Sequence, residues 1–366
     1  MAQTTLYRIE PQESTNREAG DVSNFVTPEG VWDLSSFRIQ FYANVKGGTA
    51  NRCTLPRDTS SLIEALVVYI DDTEVQHIRP YNQLAVCLAH ANKENRYEPQ
   101  ANPGYISSVV NSALYNVNNQ ACCIPSFHGI LGSNAVIRGT LRVQIFWAPN
   151  TVLIRDTVNA VYNLTGIHAV IASGNTSDIG RVMFDDWTSG LQRNQSYNQQ
   201  THISVQSNQI DYVLATYLAS DYDTALSTTA SGGTSRYFAH GTCDANSDFS
   251  SISVTFTANQ VALSAGTVDY MHAPGIVRML LGPVSDNEYP VVMCRNGVLE
   301  GRTERGLFAF DWVAGAPVNI IGSDKTVTIS FNSMSALGGV NVSLLYVKTT
   351  CHLEWDEANN TYTLIK

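Results

Sequence analysis

Residues Asp33–Val45 read DLSSFRIQFYANV, and their alternation decides the fold class. Phe37, Ile39, Phe41 and Ala43 alternate with Arg38, Gln40, Tyr42 and Asn44. A period of two gives an extended strand one buried and one wet face. Gly47 and Gly48 end the run. Further along, Leu66-Val67-Val68-Tyr69-Ile70 is β-branched and aromatic, Asp71-Asp72 supplies a turn, and Val75–Ile78 returns as a short strand, so a hairpin is predicted. Leu141, Val143, Ile145 and Trp147 share one face of another strand, which Pro149 closes because proline brings no N–H to a ladder. One stretch changes period. In residues 81–93, Leu84, Cys87, Leu88 and Ala91 fall three and four apart, which predicts a short helix.

The second half repeats this grammar in other letters. YNLTGIHAVIASGN at 162–175 resembles the opening strand, residues 203–220 hold a β-rich pair, and Ile252, Val254 and Phe256 alternate within 250–263. GIVRMLLG, YPVVMC, GLFAFDWV, KTVTISF and NVSLLYVKTTCHLEW add further strands. Neither half contains a series of amphipathic segments of helical length, so alternating βα units do not fit and two antiparallel sandwiches or barrels do. The border is expected between Pro149 and Asn163. Residues 1–30 are polar, end in TPEG, and read as an irregular arm that either lies along a neighbour or folds back on its own domain. Connections 95–135, 174–200, 221–250 and 284–306 are rich in Gly, Ser, Asn and Asp and exceed the usual loop length. They read as towers at one end of the subunit or as interlocks with adjacent subunits.

Composition bounds the function. The 366 residues carry a formal charge of −10, with 15% charged and 44% hydrophobic residues, 25 Gly and 12 Pro. Against a usual charged fraction of about 25%, this describes a folded, turn-rich chain and rules out disorder and collagen. No basic arm is present to grip phosphates, so direct sequence-specific nucleic-acid binding is not expected. A monomer of this size covers itself with Lys and Glu, whereas a subunit flanked by neighbours need not, and extensive self-association follows as an expectation. Seven cysteines, an odd number without a C-x-x-C pair, suggest free buried thiols. The sequence MAQTTLYRIEPQESTNREAG lacks the basic and apolar regions of a signal peptide and no run approaches 18 apolar residues, so an intracellular product is expected. The N-x-S/T triplets at Asn163, Asn175, Asn194, Asn341 and Asn359 then read as chance matches.

Residues 31–84 resemble the opening of double jelly-roll major capsid proteins of tailless icosahedral DNA viruses, a lineage of internal-membrane bacteriophages, virophages and large DNA viruses. The resemblance rests on the strand at Asp33–Val45, Leu55-Pro56, Ser60-Ser61-Leu62-Ile63, the Val68-Tyr69-Ile70-Asp71-Asp72 turn and Tyr81-Asn82-Gln83-Leu84. It implies two tandem eight-stranded antiparallel jelly rolls with short helices and long loops: an arm at 1–30, a first jelly roll at 31–155, and a second with a C-terminal tail at 156–366. It also implies a non-catalytic virion protein, made in the host cytoplasm, whose homotrimer forms a pseudo-hexagonal capsomer. Neighbouring capsomers, penton or minor capsid proteins and an internal membrane are its implied surroundings. A two-domain β-sandwich glycan-binding or receptor-binding spike is the alternative, and a β-sandwich glycoside hydrolase a third class.

Residues that carry chemistry elsewhere read blandly here. His240 and Cys243 lie three apart in AHGTCD, but a zinc site needs about four convergent ligands and no second pair follows. Cys122-Cys123 with His128 suggests a thiol and a base, yet such a pair is defined only in space, and opposite faces of an extended segment are expected for the two thiols. Asp71-Asp72, Asp185-Asp186 and Asp221 with Asp223 offer loop carboxylates suited to calcium or to a glycosidase pair, without a D-x-[DN]-x-[DN]-G loop. Turn and solvated-loop roles are the expectation for them. GGTA at 47 and GILGSNAVIRG at 129 lack a phosphate-loop pattern. Of Trp32, Trp147, Trp187, Trp312 and Trp355, only Trp187, in FDDWTSG, reads as a surface-contact candidate. No catalytic, cofactor-binding or metal residue is therefore assigned, and no cofactor is implied.

Overall fold

The computed structural model describes residues 4–47, 53–56, 58–91, 117–155, 159–194, 200–207, 209–219, 222–223, 237, 249–258, 261–269, 294–295, 298–299, 307–310, 318–319, 325–333, 341–359 and 361–366. The main elements of the first half are β1 (Leu6–Ile9), β2 (Val22–Val26), β3 (Gly30–Lys46), β4 (Ile63–Ile70), β5 (Thr73–Ile78), α1 (Tyr81–Ala91), β6 (Val117–Ile124), β7 (Val136–Gly139), β8 (Leu141–Trp147) and β9 (Val161–Ser173). Those of the second are β10 (Val182–Asn194), β11 (Gln200–Ser204), β12 (Tyr212–Ala219), β13 (Phe249–Ala258), β14 (Val261–Asp269), β15 (Leu307–Phe310), β16 (Lys325–Ser333), β17 (Asn341–Asp356) and β18 (Thr361–Ile365).

The two halves share one wiring diagram. In the first, one sheet runs β1-β9-β3-β6, with β7 also on β3, and the facing sheet runs β2-β8-β4-β5. In the second, the corresponding orders are β10-β17-β12-β15, with β18 also on β17, and β11-β16-β13-β14. Counted along the chain, the first, eighth, third and sixth strands of the core eight make one sheet, and the second, seventh, fourth and fifth the other. The pairings within all four sheets are antiparallel. Two tandem eight-stranded jelly rolls result.

The periodicity that predicts the strands also fills the core. Phe37, Ile39, Phe41, Ala43 and Val45 of β3 are buried, as are Leu141, Val143, Ile145 and Trp147 of β8. The Asp71-Asp72 turn closes the β4-β5 hairpin with both residues at positive φ, 47° and 65°, a twist that matches the flanking strands. Asp71 Oδ1 accepts the Thr140 amide at 2.7 Å, tying that turn to the start of β8.

Three sequence expectations are corrected by this topology. Of the two courses expected for residues 1–30, residues 4–26 take the fold-back on their own domain, but as the regular strands β1 and β2 rather than an irregular arm: Leu6–Ile9 pair with Ala172–Ala169, and Val22–Val26 with Phe146–Arg142. Ile9 and Phe25 supply the buried side chains, while Glu13 accepts the Asn24 amide and pairs with Arg17 at 3.1 Å. These polar contacts hide the apolar signal. Second, β9 closes the first half instead of opening the second, because it bridges β1 and β3; a border at 155/156 would cut it from that sheet. Third, 174–200 contains the thirteen-residue β10, and 95–135 contains β6 and a short 3-10 turn at Ile130–Gly132. Asp and Gly are depleted in strands, but β10 is held in continuous register with β17 from Val182↔Leu353 to Asn194↔Asn341. Most of 221–250 and 284–306 lies outside the described residues.

The seam between the halves and a candidate assembly face

Gln76 is the centre of the seam. Val75 and Gln76 are both buried on β5, where its register with β4 shifts by one residue. The Gln76 side-chain amide uses both ends. Its Oε1 accepts the Ile130 amide at 2.8 Å within the first half, and its Nε2 donates to the Asp185 carbonyl at 2.8 Å and to Asp186 Oδ1 at 3.1 Å in the second. Gly129, at φ +86°, lets the 3-10 turn come this close, since a Cβ there would collide with the Gln76 side chain. Ser189 of β10 donates to the Arg79 carbonyl, and the buried Tyr346 hydroxyl donates to the Pro80 carbonyl at 2.9 Å. Tyr237 donates to Glu64 at 3.0 Å, its hydroxyl accepts from Asn82, and its carbonyl accepts from Gln83 at 2.8 Å. Apolar packing crosses the same line, because Phe184, Trp187, Leu214, Leu344 and Tyr346 belong to one buried cluster with Phe37 and Tyr81.

The outward face of β9, β3 and β6 has a different character. Gln40 stands opposite His168 and Cys123, Tyr42 opposite Thr165 and Ala121, and Asn44 opposite Asn163. The centre of this face is uncharged, with Arg38 and Lys46 toward its ends. Tyr42 is 46% exposed in its middle. His168 bonds the Gly166 carbonyl through Nδ1 at 3.0 Å and Gln40 Oε1 through Nε2 at 3.1 Å, so both ring nitrogens are held. On the corresponding sheet of the second half, Lys348 of β17 pairs with Asp185 of β10 at 3.0 Å, and Glu354 of β17 with Arg181, just before β10, at 3.2 Å.

The described residues singled out from sequence for their chemistry lie in strands, turns and the core. Cys122 is buried and Cys123 half-buried, on opposite faces of β6 as expected. Burial pushes the Cys122 thiol up to about 12 and raises Cys123, against the opposing pull of Arg38. A thiolate nucleophile is thus disfavoured. Desolvation pushes His128 down to about 4, so its ring is neutral.

Asp71 and Asp72 serve the hairpin turn. Asp185 and Asp186 lie in a strand rather than a loop, one exposed and one buried, which corrects the solvated-loop expectation. Asp223 pairs with Arg193 at 2.8 Å, while Asp221, His240, Cys243 and Trp312 lie outside the described residues. Among the described residues there is no group of three or more His, Cys, Asp or Glu that could hold a metal. Trp187 corrects another expectation: it is 3% exposed and packs edge-on against Tyr212 at 5.8 Å. Gln76, Tyr346 and Tyr237, which make the seam, carry no motif that sequence reading could have singled out.

This arrangement of strands and sheets is the double jelly roll of virus capsid proteins. Solved structures match it over the whole chain. A chain of the quasi-atomic model of the PBCV-1 virus capsid aligns at TM-score 0.62 with 10% identity, covering 100% of this chain and 97% of that one. A chain of the Sputnik virophage structure aligns at 0.56 with 12% identity, covering 99% and 88%. The mavirus major capsid protein aligns at 0.50 with 10% identity, covering 98% and 90%. No family model and no curated protein sequence matches. At such identities the likeness establishes the fold.

Proposed function

We propose that the chain is a non-catalytic major capsid protein whose homotrimer forms a pseudo-hexagonal capsomer of an icosahedral shell. The observation that carries this reading is the end-to-end correspondence with a virus capsid chain, 100% of one and 97% of the other. Two similar sandwiches per chain, repeated three times, give six similar lobes around a ring, a closed cyclic arrangement built from unlike faces. The uncharged face around Tyr42 supports such burial, because Gln, Asn, Thr and Tyr pack and hydrogen-bond without the desolvation cost of Lys or Glu. Residues 4–173 form one jelly roll in this reading and residues 182–365 the other.

The protein would be made in the host cytoplasm and reside in the virion, beside neighbouring capsomers, penton or minor capsid proteins and an internal membrane. Size-exclusion chromatography with light scattering tests the oligomer: three chain masses are expected at micromolar concentration, and a stable monomer that binds glycan would replace this reading with that of a receptor-binding spike.

A further inference from the structure

We propose that residues 361–366 are a strap that closes the seam between the two jelly rolls. β18 pairs with only the far end of β17, His352–Asp356, yet it touches the first half at its start and the seam at its end. At the start, Tyr362 packs on Trp355 with ring centroids 4.7 Å apart, and its hydroxyl accepts the Arg138 amide of β7 at 2.7 Å. Tyr362 and Leu364 lie partly buried against the shared core. At the end, Lys366 Nζ sits 3.4 Å from Asp186 Oδ2, and Asp186 is the carboxylate that accepts from Gln76 across the seam. The Cys351 thiol, 3.8 Å away, is the other described donor to Oδ2.

The strap therefore does two things. It fastens β7 of the first half to the last hairpin of the second, and it supplies the cation that balances a carboxylate buried at the seam. A buried carboxylate that loses its cation is drawn toward water, and the contact with Gln76 loosens with it. Releasing the strap is expected to let the halves hinge about the segment 174–181 while each sandwich stays folded.

Hydrogen exchange on the full chain tests this, comparing the parent with Tyr362→Phe combined with Lys366→Met. Exchange at Arg138 and across β5 and residues 182–188 should accelerate at least tenfold, while the centres of β3 and β9 are unchanged. Unchanged exchange at Arg138 and β5 would overturn the proposal, and so would uniform acceleration through both halves, which would make these residues ordinary stabilising contacts. A chain lacking residues 361–366 gives a second readout. Cleavage by a protease within 174–181 should rise at least tenfold, and an equal cleavage rate contradicts the strap.

Discussion

The first strand of the first jelly roll has four residues, and its counterpart in the second, β10, has thirteen. Both hold the same place in the sheet order, at the flank of the last strand of their half. The difference lies in what each must reach. β1 needs only to cover one edge of β9, whereas β10 runs along the seam, presenting Asp185 and Asp186 to Gln76 and Ser189 to Arg79. The exposed faces diverge in the same way: uncharged around Tyr42 in the first half, laced with ion pairs around Lys348 in the second. Connectivity is common to the halves, while strand length and surface charge follow each half's neighbours.

The largest expected effect probes whether the halves are separable. Phe41→Asp or Val68→Asp in the first half, and Leu344→Asp in the second, each bury an unpaired carboxylate at a fully packed position of the shared cluster, a cost of at least about 5 kcal/mol. Because the buried cluster crosses the seam, either substitution should abolish one common unfolding transition seen by both near- and far-ultraviolet dichroism. Survival of half the β signal would show two independent units.

A smaller effect isolates the seam itself. Gln76→Ala leaves the Ile130 amide, the Asp185 carbonyl and Asp186 without their shared partner, worth about 3 kcal/mol in urea unfolding. A loss below about 1 kcal/mol would mean that apolar packing alone couples the halves.

The pH dependence reports on the first half. His128 is held neutral, down to about 4, whereas a solvated histidine titrates near 6.5. The unfolded chain therefore takes up this proton first as pH falls. Stability is unaffected by this group above about pH 6.5 and is lost progressively as the pH falls toward 4, where the loss amounts to about 3 kcal/mol. In His128→Gln the stability curve should be flatter across that window, and an identical slope in the two proteins contradicts the assignment. The smallest change is Ser23→Ala, which removes the acceptor 3.0 Å from Trp147 Nε1 and should cost about 1 kcal/mol by urea midpoint.

Much of the fold was legible because strands with one wet face print their burial in the letters. β3 and β8 alternate cleanly, and the β4-β5 hairpin and α1 were placed within about two residues. β1 and β2 were not legible, since Glu13, Arg17 and Asn24 satisfy one another in a polar segment where only Ile9 and Phe25 mark the core. β10 was missed because Asp185, Asp186 and Gly190 suggest a loop, and its strand state is imposed by β17 and Gln76, partners far away in the chain. The border between the halves is hard to read for a related reason. A closing strand and an opening strand have the same period, and only pairing tells that β9 belongs with β1 and β3. Trp187 looked wet beside two aspartates, yet it faces Tyr212. The seam depends on single hydrogen bonds between distant residues, which leave no pattern along the sequence.

The central claim is that two jelly rolls per chain build a six-lobed ring from three copies. Electron microscopy of the purified protein, with two-dimensional averages viewed down the ring axis, tests it most directly. The account predicts a pseudo-hexagonal outline with three-fold symmetry and six lobes of nearly equal size; averages showing a two-lobed single chain, or a ring with another number of lobes, would contradict it.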